Sequence, residues 1–213
     1  MKCCTGYILE VNLSTGEIEK RKVPEVVYEN VLSGKGLGAW YLNKYLPAGA
    51  DPLGPDNILG FMTGALTGTG ALIAGRWTIV TKSPLTGGWG DASCGGMFSP
   101  AIKQCGFDGI FFKGISEKPV YLYADNKTIE LQDASRFWGM DAVEAENDLV
   151  NENWSRKKPA VAVIGTAGEK LSLISGICND GGRIAARSGV GAVMGSKRLK
   201  AVVLAGSKPM PCA

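Results

Sequence analysis

The chain has 213 residues, of which 45% are apolar and 20% charged, and 23 Lys and Arg against 20 Asp and Glu leave a net charge of +3. That balance suits one domain with an ordinary core and excludes a disordered polar chain. The cations are scattered, without the basic, aromatic-interleaved stripe of a nucleic-acid surface, and no apolar run approaches the roughly 18 residues that span a bilayer, so neither nucleic acid nor a membrane is expected as a partner.

The opening MKCCTGYILEVNL lacks the apolar core and small-residue cleavage site of a secretion signal, and a cytoplasmic location is expected. GYILEVNLSTGEIEKR (Gly6–Arg21) alternates apolar and polar residues around a Ser-Thr-Gly turn and predicts a β-hairpin. PEVVYENVLSG follows as a helix opened by Pro24 and closed by Gly34. ILGFMTGALTG from Ile58 and GRWTIVTKSP from Gly75 predict two strands, and GDASCGGMF predicts a glycine-rich loop. SPAIKQCG is expected as a short helix capped by Ser99, opened by Pro100 and ended by Gly106. The strand GFDGIFFKG completes the set.

The same order then repeats. KPVYLYADNKTIELQD (Lys118–Asp133) is a second hairpin, and DAVEAENDLVNENW from Asp141 an amphipathic helix with a capping residue. AVAVIGTAG and LSLISGICND are strands, GGRIAARSGVG a glycine-rich loop before a short helix, and RLKAVVLAGSKP a closing strand. The expected fold is α+β: a β-rich domain over residues 1–210 with a tail at 211–213. It is internally duplicated into halves of about 5–115 and 118–207, related by a pseudo-two-fold, so that both glycine loops face one surface.

Glycine-rich turns bring backbone N–H groups to a ligand without a Cβ in the way, and successive N–H groups form nests for anions. Arginine adds bidentate recognition of phosphate. The candidates are Arg76, Lys82 and the Ser93–Gly96 backbone in one half, and Arg183, Arg187 and the Ser188–Gly191 backbone in the other. GVGAVMG (Gly189–Gly195) fails the dinucleotide pattern by glycine spacing, and GAVMGSK (Gly191–Lys197) is too short for a phosphate-binding P-loop. Asp91 and Asp180 border the loops and read equally as turn or cap residues; Glu144, Glu146 and Asp148 read as a solvated helix face.

There is no histidine, and the cysteines (Cys3, Cys4, Cys94, Cys105, Cys178 and Cys212) show no C-x-x-C spacing. Neither a zinc site nor an iron–sulfur cluster is expected from this chain alone, and Ser-His and Cys-His nucleophile pairs are excluded. No catalytic residue is assigned; the chemistry is expected to belong to a bound group. Most of the cysteines read as small apolar fillers, with Cys94, inside the first glycine loop, standing apart.

GRWTIVTKSPLTG (Gly75–Gly87), the Gly95–Phe98 turn and NDGGRIAARSGVGAVMGSKRLKA (Asn179–Ala201) resemble the tungsten-containing aldehyde ferredoxin oxidoreductase family, as do VNLSTG (Val11–Gly16) and DPLGPDN (Asp51–Asn57). The likeness covers nearly the whole chain but only the family's N-terminal domain. It implies a saddle-like platform on which two pterin dithiolenes chelate one tungsten or molybdenum, their phosphates meeting at Mg2+. It implies that Arg76 lies between pterin and a 4Fe-4S cluster. Ser93 and Ile184 would offer backbone carbonyls to the magnesium, and Cys94, Gly95, Arg183, Ala186 and Arg187 would lie in the pterin- and phosphate-contacting loops. The chain has Ser93 and Ile184 where the family has Asn and Ala, and Ala186 where glycine is usual; a carbonyl ligand does not depend on side chain. The cluster cysteines and acid–base residues would come from C-terminal domains or a partner subunit. Aldehyde would be the substrate, ferredoxin the electron acceptor, and a homodimer one assembly. A related tungsten or molybdenum reductase of aromatic rings, and a non-catalytic cofactor carrier or dimerising domain, are the alternative readings.

Overall fold

A computed structural model describes residues 3–155 and 157–210; the expected tail at 211–213, with Cys212, lies outside the described residues. Twelve strands form two six-stranded sheets. The first holds β1 (Tyr7–Asn12), β2 (Ile18–Lys22), β3 (Leu59–Thr63), β4 (Trp77–Lys82), β5 (Trp89–Cys94) and β6 (Gly109–Lys113), in the order β2-β1-β6-β3-β4-β5. The second holds β7 (Val120–Ala124), β8 (Ile129–Asp133), β9 (Ala160–Val163), β10 (Ile177–Asn179), β11 (Arg183–Ala185) and β12 (Leu199–Leu204), in the order β8-β7-β12-β9-β10-β11. Each pairing in one sheet has its counterpart in the other with the same sense. β1 and β6 run parallel, as do β7 and β12, and the remaining pairs are antiparallel. The same topology is therefore built twice, and β5 and β11 occupy equivalent sheet edges.

Alternation along the strands divides the apolar residues between three cores. Leu9, Val11, Phe61, Trp77 and Ile79 of the first sheet and Leu122, Ala162 and Val202 of the second share a central core. Two short helices, α3 (Phe98–Gln104) and α6 (Val190–Ser196), contribute Phe98, Ile102, Val193 and Met194 to it. The opposite face of the first sheet, through Ile8, Met62, Val80 and Phe111, packs under α1 (Glu25–Val31) and α2 (Lys35–Tyr45). That of the second packs Tyr121, Val161 and Val203 under α4 (Ala142–Asn153), whose N-cap Asp141 accepts a hydrogen bond from Val143 N at 2.8 Å. A one-turn α5 (Thr166–Glu169) and a 3-10 turn at Ser135–Phe137 complete the described helices.

Several local expectations change. The helix opened by Pro24 stops at Leu32, which turns left-handed at φ 59°, and Gly34 instead precedes a new helix, α2. Two glycines hide α2 in the sequence, yet contact requires both: a Cβ on Gly36 would collide with the Val31 carbonyl, and one on Gly38 would lie 2.8 Å from Val80. Both glycine-rich "loops" contain strands, β5 and β11, because each is the edge that closes its sheet. Ser99 is inside α3 rather than capping it; its buried hydroxyl donates to Arg76 O at 3.0 Å and so ties the helix to the segment entering β4. Among the described residues no helix is long and apolar enough to cross a membrane.

Candidate functional site

The two edge strands come together across the halves and form an open cavity of about 350 Å³ lined by Arg76, Asp91, Ser93, Ile184, Ala186 and Arg187. Ser93 is paired with Thr78 and Ile184 with Cys178, the same position on β5 and β11 under the strand correspondence. Both are exposed. Arg76 leaves the chain just before β4, and its Nη2 donates to Ser93 O at 3.2 Å. Arg183, at the start of β11, reaches over Gly95: its Nη1 stands 3.7 Å from where a Cβ on that glycine would be. Cys94 turns the other way. Its side chain is buried, its Sγ donates to Asn179 Oδ1 at 3.1 Å, and burial is the main influence raising the thiol pKa above its ordinary value. It therefore stays protonated at neutral pH and is a poor nucleophile.

Contacts across the halves fix the separation of the two edges. Buried Asn179 donates from Nδ2 to Gly95 O at 3.1 Å. Next to it Asp180 Oδ2 accepts from Met97 N at 2.7 Å, and a Cβ on Gly96 would lie only 2.0 Å from that oxygen. Ser83 Oγ donates to Ser188 O at 3.0 Å, while Ser188 Oγ donates back to Asp91 O at 3.2 Å. Removing the central contact leaves a carbonyl unpaired. Asn179→Leu is expected to cost about 2 kcal/mol of unfolding free energy, read from denaturant titration; a change under about 0.5 kcal/mol would discard the clamp.

Glu146 is not a solvated face residue. It is 7% exposed, and its two carboxylate oxygens accept from Gly181 N at 3.2 and 3.0 Å, holding the turn that leads into β11. The carboxyl pKa is raised above the ordinary glutamate value, chiefly because burial disfavours its charge. A raised folded pKa contributes stability below the unfolded value and loses it as pH rises through the folded one. Relative to Glu146→Gln, which keeps an acceptor, the wild type should therefore lose stability as pH climbs above the ordinary glutamate range. Parallel pH–stability curves for the two proteins would rule this out.

The charges around the cavity are unbalanced. Among the described residues Arg76, Arg183 and Arg187 form no ion pair with a carboxylate, while Asp91 Oδ2 is held by Lys35 Nζ at 2.7 Å. Three unpaired guanidinium groups at one concave, glycine-bordered surface favour an anion, and phosphate suits their fork geometry. Lys82 plays no part, since its Nζ donates to Ala50 O at 2.6 Å. Among the described residues no group of three or more His, Cys, Asp or Glu gathers as a metal site. A metal at this surface would have to arrive with other ligands or take backbone oxygens. Ser93 O already accepts one hydrogen bond, from Arg76, and a carbonyl has a second lone pair to offer.

Residues 8–206 match the family described as aldehyde ferredoxin oxidoreductase, N-terminal domain. The chain belongs to this family. Tungsten-containing aldehyde ferredoxin oxidoreductases from Thermococcus kodakarensis and Pyrococcus furiosus are 46% and 45% identical to it over 98% of its length. An aliphatic sulfonate oxidoreductase, WOR-like subunit, from Pyrococcus furiosus is 34% identical over 99% of the chain. Among solved structures, the active site complex BamBC of benzoyl coenzyme A reductase with 1,5-dienoyl-CoA contains a chain that is 38% identical, with a TM-score of 0.94 over 98% of this chain. The aldehyde ferredoxin oxidoreductase N-terminal fold, with its doubled sheets, is thus common to relatives of different named activity. The chain spans about a third of the length of each of these relatives.

Proposed function

We propose that the domain is the cofactor platform of a tungsten-dependent oxidoreductase, holding a bis-pterin group across its pseudo-two-fold. The observation that carries this reading is the meeting of β5 and β11: Arg76 and Arg187 line one cavity built from both halves, Arg183 stands beside Gly95, and among the described residues none of the three is ion-paired with a carboxylate. A ligand with two similar anionic arms matches a surface made twice. Arg76 and Arg183 would bind and orient the arm on the β5 side, and Arg187 the arm on the β11 side. Ser93 O and Ile184 O would face a bridging Mg2+, a hard cation satisfied by oxygen.

When bound, the tungsten or molybdenum bis-pterin supplies the redox chemistry, and the protein supplies position and electrostatics. This chain's residues do the second part only. The arginines neutralise phosphate charge and hold the group in one orientation, and Asn179, Asp180 and Ser188 keep the two edges at fixed spacing. We infer that aldehyde-to-carboxylate oxidation is the reaction served, with electrons passing through a 4Fe-4S cluster to ferredoxin. Cluster ligands and substrate-facing residues would lie in further domains or a partner subunit. The 38% identity to the benzoyl coenzyme A reductase chain supports a second reading, reduction of an aromatic ring on the same platform.

The test is elemental and phosphate analysis of protein made in a tungstate- and molybdate-supplied anaerobic host. The expected result is one metal with two pterin phosphates and magnesium. Folded protein free of metal and phosphate would overturn the platform reading in favour of a domain that only carries or dimerises.

A further inference from the structure

A second cavity, of about 410 Å³, lies on the outer face of the first sheet at the C-terminal end of α2. Glu10, Arg21 and Lys113 line it from β1, β2 and β6, Tyr41 and Tyr45 from α2, and Asp56 from the loop before β3. Arg21 is fully engaged: its Nη2 pairs with Glu10 Oε2 at 3.0 Å, and its Nη1 donates to the Tyr45 hydroxyl at 2.9 Å. The other Glu10 oxygen, Oε1, is buried and accepts no hydrogen bond among the described residues. The Tyr41 phenol stands beside this carboxylate, and its pKa is raised first by burial and then by Glu10. Lys113 and Asp56 are exposed and form no ion pair among the described residues. Asp56 is nonetheless held in place on both sides. Gly114 N donates to Pro55 O at 2.8 Å, and Asn57 Nδ2 donates to Thr81 Oγ1 at 3.1 Å.

These charges belong to one half only. Leu9 and Leu122 face the central core from equivalent strands, so Glu10 corresponds to Tyr123. Arg21, opposite Ile8, corresponds to Gln132, opposite Tyr121. The duplication does not account for the cavity, and neither does a ligand lying across the pseudo-two-fold. We propose that it binds a small zwitterion, an α-amino acid with an apolar side chain. The ammonium group meets Glu10 and Asp56, the carboxylate meets Lys113, and the side chain lies against Tyr41, Tyr45, Pro47 and Ile58. This pairing uses each charge of the cavity that lacks a partner within the chain. A cation alone would leave Lys113 facing it, and an anion alone would face Glu10 and Asp56. The negative end of the α2 dipole favours the ammonium on that side. The inference stands on this cavity's own geometry and does not depend on the cofactor-platform reading.

The test is calorimetric titration of this chain with L-leucine, with leucinol, which lacks the carboxylate, and with 4-methylpentanoate, which lacks the amine. L-Leucine should bind one-to-one, and each truncated ligand at least tenfold more weakly, as expected for the loss of one charge-assisted contact. Lys113→Met should weaken leucine at least tenfold without weakening leucinol. Asp56→Asn should weaken leucine and leucinol alike without weakening 4-methylpentanoate. Both positions are exposed, and circular dichroism melting checks that each variant folds. No binding of L-leucine at millimolar concentration overturns the proposal. So does leucinol binding as tightly as leucine, which would make the cavity a site for organic cations. Leucine binding that neither substitution alters would place the ligand elsewhere and also overturns it.

Discussion

Arg76→Ala combined with Arg183→Ala should abolish retention of the bis-pterin cofactor proposed for this domain while leaving the apo fold intact. Each guanidinium offers a charge-assisted contact worth about 1.5–3 kcal/mol, so removing both should cost about 3–6 kcal/mol, a roughly hundred- to ten-thousand-fold loss of retention. Both residues are exposed, and neither forms an ion pair with a described carboxylate. Apo stability should therefore change by less than about 1 kcal/mol. The measurement is metal and phosphate per protein after gel filtration, with denaturant unfolding of the same samples. Wild-type metal and phosphate content in the double variant would remove these arginines from the site. A collapse of apo stability would instead assign them a structural role.

The second large effect is a gain. Lys197, at the end of α6, is fully buried, and its ammonium donates to Gly114 O at 3.2 Å beside the segment joining the two halves. Burial pulls its pKa down from the ordinary lysine value of 10.5 to about 8. A lowered lysine pKa means the folded state releases the proton first. The cost of the buried charge is therefore complete below about pH 8 and fades as pH rises toward the unfolded value. Lys197→Met, similar in length and apolar, should raise unfolding free energy at pH 7 by about 2–3 kcal/mol. The advantage over wild type should shrink between pH 8 and 10.5. A methionine variant no more stable than wild type at pH 7 would show that the ammonium has better solvation than its single hydrogen bond suggests.

The hairpins, the duplication and the Asp141-capped helix could be read from the chain because each is a local pattern: alternation, turn chemistry and a cap. The edge strands were legible only as glycine-rich segments. β5 and β11 carry too little apolar alternation to announce a strand, with exposed Trp89, Ser93, Arg183 and Ile184 along them. Helix α2 was hidden by its glycines: Gly38 is needed because of Val80 and Met62, residues distant in sequence, and Gly36 because of the Val31 carbonyl at the end of α1. Glu146 looked solvated because its helical spacing puts it beside other acids, and nothing local shows that Gly181 will arrive above it. Asn179 did leave a trace: an amide at an inward-facing position of an otherwise apolar strand demands a buried partner. The arginines could be singled out by residue type and by family resemblance, but their convergence could not.

What the sequence determined by itself is the set of repeated units and the residue types able to meet an anion, since hydrogen-bonding pattern and turn chemistry act within a few residues. The tertiary structure decided which way those residues face. The halves close on one another through Asn179, Asp180 and the Ser83–Ser188 pair, contacts between residues more than 80 positions apart. Only that closure turns Cys94 into the core, sets Ser93 and Ile184 at equivalent edge positions, and leaves Arg76, Arg183 and Arg187 without an ion-paired carboxylate among the described residues. Charge balance and the angle between two sheets depend on packing across the whole molecule, which no short window of sequence contains.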